Sequence, residues 1–89
     1  MRFLVTGCAG FIGFYVTKKL LTNNSYTVIG IDNLNEYYDV NLKKSRIQII
    51  KTNYKKKFRF KKIDISKKTE FKNLSKIKFD IVINLAAQA

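Results

Sequence analysis

The sequence predicts an α/β protein built on a parallel sheet, and three observations carry that expectation. Two β-rich apolar runs, residues 2–6 and 26–31, flank a glycine-rich turn followed by a stretch of helical spacing. The unit they form is about 30 residues long, the size of one strand–helix–strand crossover. The same alternation then recurs as far as residue 85, giving strand, helix, strand, helix, strand, helix, strand. Such crossovers join parallel neighbours and are right-handed.

The elements follow in order. Residues 2–6, Arg-Phe-Leu-Val-Thr, open as the first strand. In the first helix Ile12, Val16 and Leu20 fall at i, i+4 and i+8 with Leu21 alongside, so they are expected to share the face that meets the sheet. Asn23, Asn24 and Ser25 stop that helix and turn the chain into the second strand, residues 26–31. Residues 40–52 have the spacing of a second helix, with Ile47 and Ile50 on one face. Residues 57–65 place Phe58, Phe60, Ile63 and Ile65 among charges and suit a strand near the outer side of the sheet. Residues 66–76 form a short polar helix with Phe71 and Leu74 inward. Residues 79–85 are apolar enough for a fourth strand buried on both faces. No linker, proline or low-complexity stretch divides the chain. The final apolar run differs from the polar, frayed end usual for a mature C-terminus, so the unit is expected to stop early.

The turn after the first strand carries the chemistry. Gly7, Gly10 and Gly13 form G-x-x-G-x-x-G between a strand and a helix. A glycine at the strand end permits the tight turn, a second lets backbone approach a pyrophosphate, and a third lets helix and strand pack closely. The helix N-terminus then offers unpaired N–H groups and a positive dipole end to phosphates. The bland alternative is a mere tight connection. Asp32 ends the second strand about 20 residues after Gly13, where an acid is expected to hold the adenosine ribose hydroxyls. Its carboxylate would repel a 2′-phosphate, and Asn33, Leu34 and Asn35 supply no cation to welcome one, so NAD is favoured over NADP. An aspartate in an ordinary turn is the alternative. Together these features specify the N-terminal half of a Rossmann-type doubly wound parallel sheet, strand order 3-2-1-4, with its crevice between strands one and four.

Composition bounds the rest. With 89 residues there is room for at most one small domain, and 46% hydrophobic residues suffice for a core rather than disorder. The net charge of +12 is carried mostly by lysines scattered along the chain, which fits a solvated surface. A nucleic-acid-binding protein is the alternative of another class. Its support is residues 51–62, where Lys55, Lys56, Lys57, Arg59, Lys61 and Lys62 interleave with Tyr54, Phe58 and Phe60. The alternation instead puts Phe58 and Phe60 on one face, as in a core-facing strand, so nucleic acid is not the expected partner. The lone Cys8 cannot form an internal disulfide, and histidine is absent, which leaves no histidine base or metal ligand. Without a signal peptide, and with apolar runs far shorter than the ~20 residues of a membrane span, the chain reads as cytoplasmic with no membrane partner.

The segment Thr6-Gly7-Cys8-Ala9-Gly10-Phe11-Ile12-Gly13 resembles the fingerprint of the extended short-chain dehydrogenase/reductases, the NAD-dependent epimerase/dehydratase family. Leu85-Ala86-Ala87-Gln88-Ala89 resembles the end of that family's fourth strand; the family usually has His before Leu-Ala-Ala, where this chain has Asn84. Residues 30–43 are similar to the corresponding stretch of the UDP-glucuronate 4-epimerases, with Glu36 where Asp is common. The resemblance implies a cofactor site for NAD. Gly7, Gly10, Phe11, Ile12 and Gly13 would line the pyrophosphate, Asp32 would hold the ribose with Asn33 beside it, and Asp64 and Ile65 would contact adenine. Leu85, Ala86 and Ala87 would pass the inner part of the cofactor.

Family chemistry, as the resemblance implies it, uses a Tyr-x-x-x-Lys pair on elements after the fourth strand, with the tyrosine as acid/base and NAD taking a hydride from sugar C4. The literal match, Tyr15 to Lys19, lies in the first helix, on the wrong element. Tyr15 is expected to pack beside the sheet, with Lys18 and Lys19 in solvent. No catalytic residue is assigned. Residues 1–89 are therefore expected to be a partial NAD-binding domain without the remaining strands or the substrate domain, inactive alone as an epimerase. A nucleotide-sugar substrate belongs to a full-length parent, and a separately encoded C-terminal half is a candidate partner. Another nucleotide-sugar epimerase or a dehydratase is the alternative within the family. Uncovered strands would leave an exposed apolar edge.

Overall fold

Burial separates the strands into two pairs. β1 (Arg2–Thr6) and β2 (Thr27–Asp32) are buried along most of their length, whereas β3 (Phe58–Lys62) and β4 (Ile81–Asn84) are largely open. Their order accounts for it: the sheet runs β3-β2-β1-β4, every pairing is parallel, and the two buried strands are central. The computed structural model describes residues 1–34 and 40–86, without the side chain of Phe71. The expected α/β class and the 3-2-1-4 order are both found.

Side chains alternate across the pleat. Phe3 and Val5 of β1, Val28 of β2 and Phe58 of β3 point to one face, where Leu21 of α1 (Phe11–Leu21) and Ile47 and Ile50 of α2 (Val40–Asn53) close over them. Leu4 and Ile31 point to the other face and meet Ile63 and Leu74. Leu74 comes from a 3₁₀ helix (Lys72–Lys76) that continues α3 (Lys68–Phe71). Each of these buried aliphatic side chains contributes about 1.5–3 kcal/mol of transfer free energy. The expected inward Phe71 lies outside the described side chains, whereas Leu74 is inward as expected.

Several expectations need correction. The inward stripe of α1 is Gly13, Thr17 and Leu21, one residue on from Ile12, Val16 and Leu20. Ile12 is 63% exposed. The glycine turn dictates this rotation: a Cβ on Gly13 would sit 2.8 Å from Gly7 C and 3.0 Å from Cys8 Cα, so a glycine must face the turn. Apolar spacing alone chose a neighbouring stripe because Thr17, although buried, is polar. Tyr15 is likewise on the outer side of α1, 56% exposed, and its ring meets Phe11 and Phe14 rather than the sheet. Lys18 is half-buried over the Phe14 and Tyr15 rings, while Lys19 is exposed as expected. Finally, β4 is not buried on both faces. It pairs with β1 alone, and Ile81 and Val82 remain exposed, because among the described elements the long helices lie over β1, β2 and β3 rather than over this edge. The exposed apolar edge expected at the first and fourth strands is found at β4 and not at β1, which is buried.

The third strand is shorter than residues 57–65, and the residues that drop out have clear uses. Lys57 Nζ donates to Leu21 O and to Asn23 O, both at 2.7 Å, and so caps the C-terminus of α1. A cation there also meets the negative end of the helix dipole. Ile63, past the strand end, turns into the second core cluster. Asn23 Oδ1 accepts from Ser25 N–H (2.9 Å) in the expected turn.

Candidate functional site

The carboxyl ends of β1, β2 and β4 converge on the turn from Gly7 to Gly10. Gly7 has φ +72, a conformation glycine adopts at no steric cost. A Cβ there would also stand 2.9 Å from Leu85 C and O and from Ala86 N, so the turn lies against the end of β4. Gly7 N–H and Cys8 N–H both donate to Ile31 O, at 2.9 and 3.2 Å, which ties the turn to β2. Gly10 is the N-cap of α1 and has no capping side chain. Phe14 N–H makes the first helical bond, to Gly10 O (2.9 Å), so the N–H groups of Phe11, Ile12 and Gly13 precede the hydrogen-bonded ladder. A Cβ on Gly10 would meet only Gly7 O, at 3.3 Å, with open space beyond. This is the geometry in which a helix N-terminus receives phosphate oxygens.

Asp32 is buried beside this turn. Its Oδ2 accepts from Ala9 N–H (3.1 Å) and its Oδ1 from Leu34 N–H (2.8 Å). Each oxygen keeps a further lone pair for a hydroxyl donor. Leu34 sits at φ 53, in the left-handed region, costly for a branched side chain; the Asp32 bond helps hold it there. The half-buried Asn33 lies between them. Burial drives the Cys8 thiol pKa far up, and the charge of Asp32 adds to the rise, so Cys8 stays protonated and inert under the turn.

Thr6 joins β1 to β4. Its hydroxyl donates to Asn84 Oδ1 and accepts from Leu85 N–H (3.0 Å) and Ala86 N–H (3.1 Å). Asn84, the departure from the family's His, is thus held by a neighbouring side chain. Asp64 and Ile65 lie beyond the end of β3. Asp64 Oδ1 accepts from both Ser66 Oγ (2.6 Å) and Ser66 N–H (3.0 Å). The Ser66 hydroxyl, then its N–H, hold the Asp64 carboxyl below its ordinary value, with Lys67 adding a smaller pull. Ile65 is 37% exposed. Ala87 lies outside the described residues, as does the segment 35–39 that carries part of the epimerase-like stretch.

The structure therefore brings Gly7, Gly10, Phe11, Ile12, Gly13, Asp32, Asn33, Leu85 and Ala86 to one end of the sheet, with Asp64 and Ile65 past the neighbouring strand. Sequence reasoning missed Thr6, Lys57 and Arg46. Arg46 Nη1 donates to Ala9 O (3.0 Å) from α2. One signal was available: Arg46 precedes Ile47 on the stripe that also carries Lys43 and Ile50. The basic run is less of a platform than its charge suggests. Phe58 is 3% exposed, Lys57 is used as a cap, and Lys51 covers the half-buried Phe60 ring at 5.8 Å. Among the described residues no helix is long and apolar enough to cross a membrane, and no cluster of metal-ligating side chains occurs.

Known proteins share this arrangement. The family model for GDP-mannose 4,6 dehydratase matches residues 4–89. A UDP-glucuronate 4-epimerase of Thermodesulfobacterium geofontis is 44% identical over 98% of this chain and 26% of its own length. The crystal structure of UDP-glucuronic acid 4-epimerase from Bacillus cereus in complex with NAD superposes with a TM-score of 0.84 at 38% identity, over 100% of this chain and 28% of that one. A dTDP-glucose 4,6-dehydratase from Bacillus anthracis in complex with NAD follows at 0.75 and 27% identity, over 99% of this chain and 27% of that one. The chain spans 19–26% of the length of the first curated relatives it matches. It belongs to the GDP-mannose 4,6 dehydratase family, a Rossmann-type family of NAD-dependent epimerases and dehydratases.

Proposed function

We propose that residues 1–89 are the NAD-binding part of a nucleotide-sugar 4-epimerase of the UDP-glucuronate type, a cytoplasmic enzyme. One observation carries the reading: the open N–H groups of Phe11, Ile12 and Gly13 stand beside a buried carboxylate, Asp32, at the carboxyl ends of parallel strands. The diphosphate would lie along Gly7, Gly10 and the first turn of α1. The adenosine ribose would reach Asp32 and Asn33, with adenine toward Asp64 and Ile65. Leu85, Ala86 and Ala87 would flank the inner half of the cofactor. Bound NAD supplies a hydride acceptor; this chain's residues bind it, orient it and exclude a 2′-phosphate. Proton transfer to the sugar is not assigned to Tyr15, which faces away from the sheet. It falls to a Tyr-x-x-x-Lys element elsewhere in the enzyme or in a separately encoded half. The identity to the solved UDP-glucuronic acid 4-epimerase, 38% against 27% for both a dTDP-glucose 4,6-dehydratase and a UDP-galactose 4-epimerase, favours the UDP-glucuronate reading.

Calorimetric titration of the 89-residue chain with NAD and NADP tests the proposal, with Asp32→Asn in parallel. NAD is expected to bind saturably and NADP at least about tenfold more weakly, as a charge-assisted contact is exchanged for repulsion. Asp32→Asn should weaken NAD by about tenfold and narrow the gap to NADP. A folded chain that binds neither, or both equally, overturns the reading.

A further inference from the structure

Arg46 does something at this site that the glycine pattern does not describe. It lies on α2, 37 residues from the turn, yet its Nη1 donates to Ala9 O at 3.0 Å. Ala9 is fully buried, and its N–H is already committed to Asp32 Oδ2. The residue is thus held from β2 at its N–H and from α2 at its carbonyl. That carbonyl belongs to the peptide leading into the N-cap, whose own N–H, on Gly10, donates to Gly7 O (3.1 Å). Both ends of the peptide are therefore bonded, and its plane cannot rotate without losing one of them. The guanidinium also lies 6.0 Å from the Phe11 ring centroid and 5.9 Å from that of Phe14, the residues at the start of α1. Those contacts attach the first turn of the helix to the same side chain.

We propose that Arg46 is a positioning residue of the dinucleotide site, holding the Ala9–Gly10 peptide so that the N–H groups of the first turn of α1 converge on a diphosphate. The inference rests on the cofactor reading above. A glycine-rich turn is soft, and without a brace it loses freedom when the ligand binds, which weakens affinity. The brace removes that cost beforehand. It acts on the diphosphate more than on the nucleoside, because Asp32, which would reach the ribose, is carried by β2 and held by Leu34 N–H as well as by Ala9 N–H.

The test compares NAD, ADP and adenosine binding to the wild-type chain, Arg46→Met, Arg46→Gln and Arg46→Lys, followed by NMR chemical-shift titration. Met keeps the packing of the stem and removes the donor and the charge. Gln removes the charge and shortens the reach, and serves if the Met variant fails to fold. Lys keeps a charged donor. The expected result is about a tenfold loss of NAD and ADP affinity in the Met and Gln variants, with adenosine changed by less than about twofold and partial recovery in Arg46→Lys. Unchanged ADP affinity in the Met and Gln variants overturns the proposal. So does an equal loss for ADP and adenosine, which would mark Arg46 as a general structural support. If the wild-type chain binds none of the three, the cofactor reading fails and this inference with it; wild-type binding with unaffected variants removes this inference alone.

Discussion

Under α1 and α2 the sheet buries Phe3, Val5, Val28 and Phe58 to 4% exposure or less, whereas on the opposite face Val82 stays 57% exposed beside a fully covered Leu4. The difference lies in what covers each face. Two helices of 11 and 14 residues lie on the first, and a four-residue helix with its 3₁₀ extension lies on the second. Both faces carry β-branched and aromatic side chains, so hydrophobicity along a strand does not report how much of it is covered. Helix length and strand order do. The site belongs chiefly to the well-covered side, since Gly10 caps α1 and Arg46 reaches the turn from α2.

The largest test of this contrast is Phe58→Ala, expected to cost about 3–5 kcal/mol in urea unfolding, a large part of the stability of a small domain. A loss below about 1 kcal/mol would mean that the two faces are energetically alike. The turn from β3 toward α3 gives a smaller effect, read through pH. Asp64 titrates below its ordinary value of 3.8 because Ser66 donates to it. A carboxyl depressed on folding stabilises fully above 3.8 and loses that contribution as pH falls through its folded value. Ser66→Ala should raise the Asp64 midpoint toward 3.8 by NMR titration, and an unmoved midpoint would refute the Ser66 contact. The smallest expected change is Val82→Thr, within about 0.5 kcal/mol of wild type, since the side chain is already in solvent. A larger loss would show that Val82 is covered in solution.

Much of this was legible because backbone demands leave residue-type signatures. Gly7 takes a positive φ, Gly13 must clear the turn, and Asp32 offers one acceptor oxygen each to Ala9 N–H and Leu34 N–H, so each leaves a mark in residue type. The register of α1 was misread where the determining fact is tertiary: Gly13 faces inward because Gly7 lies under it, and Thr17 follows it in despite being polar. Residues 79–85 were over-read as a doubly buried strand because an apolar run looks the same at a centre and at an edge. Lys57 is hidden for another reason, and Arg46 is legible only through its place beside Ile47 on α2. In a chain with 18 Lys and Arg, little that is local distinguishes a cation that reaches a buried carbonyl from one in water.

The position of β1 between β2 and β4 has a kinetic consequence. Three strands, β1, β2 and β3, can pair with their sequence neighbours as they form. The second edge of β1 is filled only when residues 3–6 pair with residues 81–84, a closure across 78 residues from Phe3 to Ile81. Such a non-local pairing is a late and slow event, because loop-closure entropy must be lost before any contact repays it. Until then β1 presents a free row of backbone donors and acceptors. During that interval the open edge of β1 is where a strand of another copy can pair.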